Sequence, residues 1–216
     1  MPDPTRFALF FAAALLLAVT PGPGIFYVAA RSLAGGRGEG LASSFGTGLG
    51  GLVHVLAGAL GVSALVLASA ELFTALKLAG AAYLVWLGIR TILVARRDAA
   101  TAIVAGRPVP PMGPRRAFRE GAVVEALNPK TAAFFLAFIP QFVDPAAGSV
   151  ALQFIALGTI SVLLNTLADI AVAFAASRIR QGAAAARPNL VRRLREGSGA
   201  AMVALGVGLA FAKRPA

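Results

Sequence analysis

Lys130 lies in the interior of a long apolar run, in the sequence Leu127-Asn128-Pro129-Lys130. A charge held inside a membrane is costly, so it is usually paired and usually functional. The acidic groups within its reach are Glu125, five residues upstream, and Asp169 in a later apolar run. Lys130 could hold a substrate carboxylate, or form an ion pair that gives way to a substrate or a proton. Glu125 and Asp169 are candidates for proton coupling, because a carboxyl group shut away from water can take up and release a proton near neutral pH. His54 is the only histidine. It either joins that coupling or rests as a satisfied polar group between helices. Asn165 either contacts substrate or bonds a neighbouring helix. No catalytic triad can be assembled from these residues. One histidine and no cysteine leave no metal-ligand cluster, so neither an enzyme, a metal site nor a cofactor is expected.

Two proline motifs frame the lysine. Thr20-Pro21-Gly22-Pro23-Gly24 interrupts the first apolar run and Asn128-Pro129 the fourth. Proline disrupts a helix interior, but it is favoured at the first position of a new helix, after a Ser, Thr, Asn or Asp cap. Both motifs therefore predict a helix that stops and restarts, at Pro21 and at Pro129. Each restart would present N–H groups and a positive dipole end to one cavity, a setting suited to a carboxylate. The expected substrate-binding set is Thr20, Pro21, Gly22, Pro23, Gly24, Asn128, Pro129, Lys130 and Asn165.

The elements that must position these groups are membrane helices. Of 216 residues, 58% are hydrophobic and 13% charged, about half the charge of an average soluble domain. Six apolar stretches cover about 7–30, 41–68, 72–94, 117–143, 149–177 and 197–212. They are too long, and too rich in Ala and Leu, for strands. The first is expected to be a retained helix rather than a cleaved leader, since apolar sequence resumes at Ile25-Phe26-Tyr27-Val28 and no convincing cleavage site intervenes. Gly46, Gly48 and Gly51 match a dinucleotide fingerprint only formally, because no strand precedes them. Gly46 and Gly50 better fit close helix packing, and such faces permit a homodimer.

The net charge of +11 acquires a meaning once it is placed. Fifteen of the 20 Lys and Arg residues, Arg90 among them, lie on the side of the connections after the first, third and fifth stretches, and four lie on the opposite side. This bias puts the basic loops in the cytoplasm and both termini outside. It accounts for the charge without nucleic acid. Residues 96–116 form a basic, Pro-rich cytoplasmic loop between two halves, 1–95 and 117–216.

Those halves look alike. The proline motifs occupy corresponding places, Gly46-Thr47 matches Gly158-Thr159, and Gly80-Ala81-Ala82 with Leu87-Gly88 matches Gly199-Ala200-Ala201 with Leu205-Gly206. Three spans is an odd number, so a duplicated unit inserts with opposite orientation. The expected fold is all-α, with six transmembrane helices as two inverted three-helix repeats, helices one and four being broken.

These segments, together with Lys77-Leu78-Ala79-Gly80, Pro140-Gln141-Phe142-Val143 and Ala176-Ser177-Arg178, make the chain resemble the amino-acid exporters of the lysine exporter and homoserine/threonine exporter family. The resemblance covers nearly the whole chain. It implies a multi-pass protein of the bacterial inner membrane that exports a small amino acid or derivative, driven by protons and without a cofactor. The family's Pro-Gly-Pro and Asn-Pro-Lys motifs fall on Pro21 to Pro23 and on Asn128 to Lys130. Two positions depart from the family's pattern: Glu125 stands where an uncharged residue is usual, and Asn165 where an acid is common, with Asp169 one turn later. A transporter of another small solute or ion, or a membrane scaffold, is the alternative reading.

Overall fold

The computed structural model describes residues 4–68, 70–100, 110–181 and 188–211. They form helices, with no strand among the described residues: α1 (Pro4–Val19), α2 (Pro23–Ala68), α3 (Ala70–Ala100), α4 (Pro114–Ala126), α5 (Pro129–Ala133), α6 (Val150–Gln181) and α7 (Pro188–Phe211). The connecting segment is shorter than the sequence implies. α3 continues to Ala100 and α4 begins at Pro114, so Arg115 and Arg116 belong to a helix; residues 101–109 lie outside the described residues.

Proline and glycine set the boundaries. Gly113, with φ of 87°, turns the chain into Pro114, which starts α4. α5 runs on as a π turn over Phe134–Phe138 and a 3-10 turn over Ile139–Phe142. Pro140 has no N–H to continue an α-helical ladder. Within α2, Gly36 adopts φ 74° and ψ −160°, a backbone conformation suited to glycine. Arg31 and Glu39 form an ion pair at 3.6 Å, and a methyl group at Gly40 would overlap the side chain of Ser32. Residues eight apart on a straight helix are separated by about 12 Å. The chain therefore folds back at Gly36, and α2 consists of two limbs, 23–35 and 37–68.

That turn is fastened to the start of α4. Glu39 Oε1 accepts the N–H groups of Met112 and Gly113 at 2.7 and 2.8 Å. Arg31 donates to the Pro110 carbonyl at 3.2 Å, and Tyr27 donates to the Ala117 carbonyl at 3.1 Å. Arg31 and Glu39 are both buried.

α2 packs against α4 and α6, and α3 against α7. The core joins Phe10 of α1, Val55 of α2, Leu84 of α3, Phe134 and Ile139 after the second break, and Phe154 of α6. Outward faces are just as apolar: Leu56 and Leu60 of α2, with Leu152 and Leu167 of α6, are 61% to 78% exposed. Apolar surface on that scale needs lipid rather than water. By length and composition, Pro23–Gly61, which contains the turn at Gly36, and Val150–Arg178 each hold a stretch apolar enough to cross a membrane, and the pair Pro114–Ala126 and Pro129–Phe142, bent by 42°, makes a third if counted as one span. Pro4–Val19 and Leu78–Val94 are shorter apolar helices.

Candidate functional site

The two helix breaks meet. α1 ends at Val19, and the Thr20 hydroxyl turns back to the Leu16 carbonyl at 2.6 Å. α2 starts at Pro23, its first turn closing from Phe26 N–H to the Gly22 carbonyl at 3.0 Å. The restart is thus two residues later than the Thr20-Pro21 pattern predicts. Pro23, not Pro21, takes the first helical position, and Thr20 closes the old helix instead of capping the new one.

The second break follows the expected pattern. The Asn128 side chain accepts Lys130 N–H at 3.0 Å, with Pro129 at the first helical position. Asn128 thus satisfies that N–H itself, as its capping position implies.

Gly22 and Gly24 let the breaks approach. A Cβ on Gly22 would sit 3.1 Å from Lys130 Nζ, and one on Gly24 would sit 2.6 Å from Glu125 Oε2. The lysine from the second break thereby reaches the first. Lys130 is 3% exposed, and its Nζ donates to the carbonyls of Thr20 at 2.9 Å and Leu17 at 3.3 Å. A cation at the C-terminal end of α1 meets the last carbonyls of that helix and the negative end of its dipole. The expected ion pair with Glu125 or Asp169 does not form: no carboxylate oxygen lies within 4.0 Å of Nζ among the described residues. Backbone carbonyls take the place that the sequence reading gave to an acid. An ammonium has three N–H bonds, and one remains.

Glu125, at the end of α4, is buried. Its Oε1 accepts the Thr131 hydroxyl at 2.6 Å and its Oε2 the Asn128 amide at 2.9 Å. Two donors on two oxygens is the arrangement a carboxylate takes. Asp169 of α6 is wholly buried and differs: Oδ2 lies 2.7 Å from the Thr47 hydroxyl, and Oδ1 has no partner. Thr47 also lies 2.8 Å from the Ser44 carbonyl. A hydroxyl has one proton and cannot donate fully to both.

His54 is half-buried, with Nε2 2.9 Å from the Glu125 backbone carbonyl. An acceptor there makes Nε2 the donor, so the ring closes the end of α4. Asn165 lines a cavity of about 20 Å³ together with Thr47, Glu125, Thr131 and Ser161. That is room for about one water molecule. Thr47, Thr131 and Asn165 thus converge with Glu125, and Asp169 joins them through Thr47.

A larger cavity, of about 400 Å³, opens on the other side of the breaks. Pro21, Gly22 and Pro23 form one part of its wall, and Asn128, Pro129 and Lys130 another. α3 contributes Arg90 and Thr91, which the sequence reading did not assign to the site. Arg90 was read only as part of the one-sided charge. Thr131 was also missed, although a polar residue three positions after a helix cap is where a capping partner is sought.

The comparisons with known proteins follow the same motifs. The pattern of the LysE type translocators matches residues 15–213. A Pseudomonas aeruginosa protein described as an uncharacterized membrane protein is 32% identical over 208 residues, 96% of each chain. The homoserine/homoserine lactone efflux protein of Salmonella typhimurium is 32% identical over 200 residues, 92% of each chain. The leucine efflux protein of an Enterobacter species is 26% identical over 162 residues, 74% of each chain. No solved structure matches. With the pattern running through both proline breaks and all seven helices, the chain belongs to the LysE type translocator family.

Proposed function

We propose that this chain is a proton-coupled exporter of a small amino acid or amino-acid derivative across the bacterial inner membrane. The observation that carries the reading is the cavity of about 400 Å³ walled by both proline motifs. It is of the size class that encloses small molecules. The named activities of the homoserine/homoserine lactone and leucine efflux relatives support the substrate class.

The two halves, 1–95 and 117–216, move as inverted repeats about that cavity, with residues 96–116 in the cytoplasm and both termini outside. Contacts between α3 and α7 support the repeat. A Cβ on Gly88 would meet the Gly199 carbonyl at 2.5 Å, and one on Gly206 would meet the Ala81 carbonyl at 2.7 Å. Gly88 and Gly206 are equivalents in the sequence repeat, as are the segments starting at Gly80 and Gly199. Exchanging the halves carries the Gly88–Gly199 contact onto Gly206–Gly80, one residue from the Gly206–Ala81 contact.

Lys130 offers its remaining N–H to the substrate carboxylate while the carbonyls of α1 hold it in place. Asp169 carries the proton. A proton on Oδ2 donates to Thr47 Oγ1, which frees the Thr47 hydroxyl to donate to Ser44; both short contacts are then satisfied. Glu125 is held between two donors, and His54 positions it through the backbone.

The test is flux in proteoliposomes with labelled amino acids and an imposed pH gradient. Gradient-dependent export of one or more amino acids is expected. A gradient that drives none of them would sink the reading.

A further inference from the structure

We propose that Arg90 is the principal carboxylate ligand of the large cavity, and that the cavity therefore takes amino acids with neutral, apolar side chains and rejects basic ones. The proposal rests on the exporter reading above and adds the substrate class. Of the two cations that line the cavity, Lys130 has already given two of its donors to α1. Arg90 has not. Its guanidinium lies over the Trp86 ring at 5.4 Å, and no carboxylate pairs with it among the described residues. An aromatic face attracts a cation but accepts none of its directed N–H bonds. The five guanidinium donors thus remain for a planar oxyanion, which they can grip with two parallel bonds.

The rest of the wall suits the rest of an amino acid. Thr91 donates its hydroxyl proton to the Leu87 carbonyl at 2.8 Å, so its oxygen lone pairs can accept from an α-ammonium. Phe26, Leu87 and Met202 supply apolar surface for a side chain. No Asp or Glu lines the cavity among the described residues. A second ammonium, as in lysine, would lose its water beside two cations and find no counter-charge. Glu125 and Asp169 do not serve, because neither lines this cavity and Gly22, Asn128 and Lys130 do.

The experiment measures binding to the purified full chain by ligand-dependent thermal shift, and transport in proteoliposomes, for leucine, leucinamide and lysine. Wild type is expected to bind and carry leucine, and to discriminate strongly against leucinamide, which lacks the carboxylate, and against lysine. Arg90→Ala raises the leucine Kd and KM by roughly 10- to 100-fold and abolishes the preference for leucine over leucinamide; Arg90→Lys recovers part of both. Arg116→Ala, a charge loss on the exposed face of α4, changes neither. An unchanged leucine KM in a well-folded Arg90→Ala protein, or lysine carried as well as leucine, would overturn the proposal and leave the exporter reading standing. Leucine binding that depends on Arg90 without any flux would overturn the exporter reading and keep the ligand assignment. Binding and flux absent for all three compounds would overturn both.

Discussion

Glu125 and Asp169 differ in what surrounds their oxygens, and this difference decides what each substitution does. Glu125→Gln can still bond Thr131 and Asn128, because the new amide donates to the Thr131 oxygen and its carbonyl accepts from Asn128. Asp169→Asn can likewise donate to Thr47 while Thr47 donates to Ser44. Both variants should fold. If Asp169 is the proton carrier, Asp169→Asn loses acceleration by a pH gradient but retains exchange of substrate for substrate, whereas Glu125→Gln keeps its response to the gradient. Flux assays with and without the gradient separate the two, and the opposite pattern would move the role to Glu125. Lys130 is a different case, because its ammonium is structural as well as available to a ligand. Lys130→Met leaves the Thr20 carbonyl without its donor in the interior, at about 1–3 kcal/mol, while the Leu17 carbonyl keeps the Thr20 N–H at 3.2 Å. A lower Tm together with lost transport is expected; an unchanged Tm would show that α1 does not depend on this lysine. The sequence made Lys130, Glu125, Asp169 and His54 stand out, because polar residues are rare in apolar runs. It could not show their partners. Lys130 is met by carbonyls more than a hundred residues away, and a backbone carbonyl leaves no trace in residue type.

Breaks in helices were more legible than their geometry. Asn128-Pro129 offers one capping register, and the structure uses it. Thr20-Pro21-Gly22-Pro23 offers two, since either proline can start a helix, and propensity does not choose between them. Packing does: with the restart at Pro23, Gly22 and Gly24 face Lys130 and Glu125, where side chains would collide. The fold-back at Gly36 was expected only as a connection between two apolar stretches. Its fastening was invisible, because Arg31 was counted as one more cytoplasmic charge. Arg31 and Glu39 instead form a buried pair that ties α2 to residues 110–113 at the start of α4. Removing one partner of a buried pair leaves an uncompensated charge, so Arg31→Ala should destabilise by about 3 kcal/mol. Glu39→Gln should destabilise as well, because Arg31 then loses its counter-charge even though the new carbonyl still accepts from Met112 and Gly113. Both are checked by Tm in detergent. Equal Tm values for wild type and Arg31→Ala would show that the tie carries no stability.

The whole molecule poses the question of symmetry, which composition cannot answer and which the short Gly/Ala matches raise only weakly. Such matches recur by chance in a chain with 24 glycines. Spatial contacts are a sharper criterion, because exchanging the two halves must carry one close approach onto another. Gly88 lies against the Gly199 carbonyl, and Gly206 against the carbonyl of Ala81, one residue from Gly80, the counterpart of Gly199 in the sequence match. Each glycine lets the backbones of α3 and α7 come within a distance that a methyl group would prevent. Gly88→Ala and Gly206→Ala should therefore force the two helices apart by similar amounts and lower Tm alike, while the pair combined should lower it further. Gly208→Ala is the control: it lies on the same helix as Gly206, but a Cβ there meets nothing within 4 Å, and alanine is the better helix former by about 1 kcal/mol. It should leave Tm unchanged or raise it. A large loss at Gly88 with none at Gly206 would mean that the two contacts are not equivalent, and the inverted repeat would lose its structural support even if the protein transports.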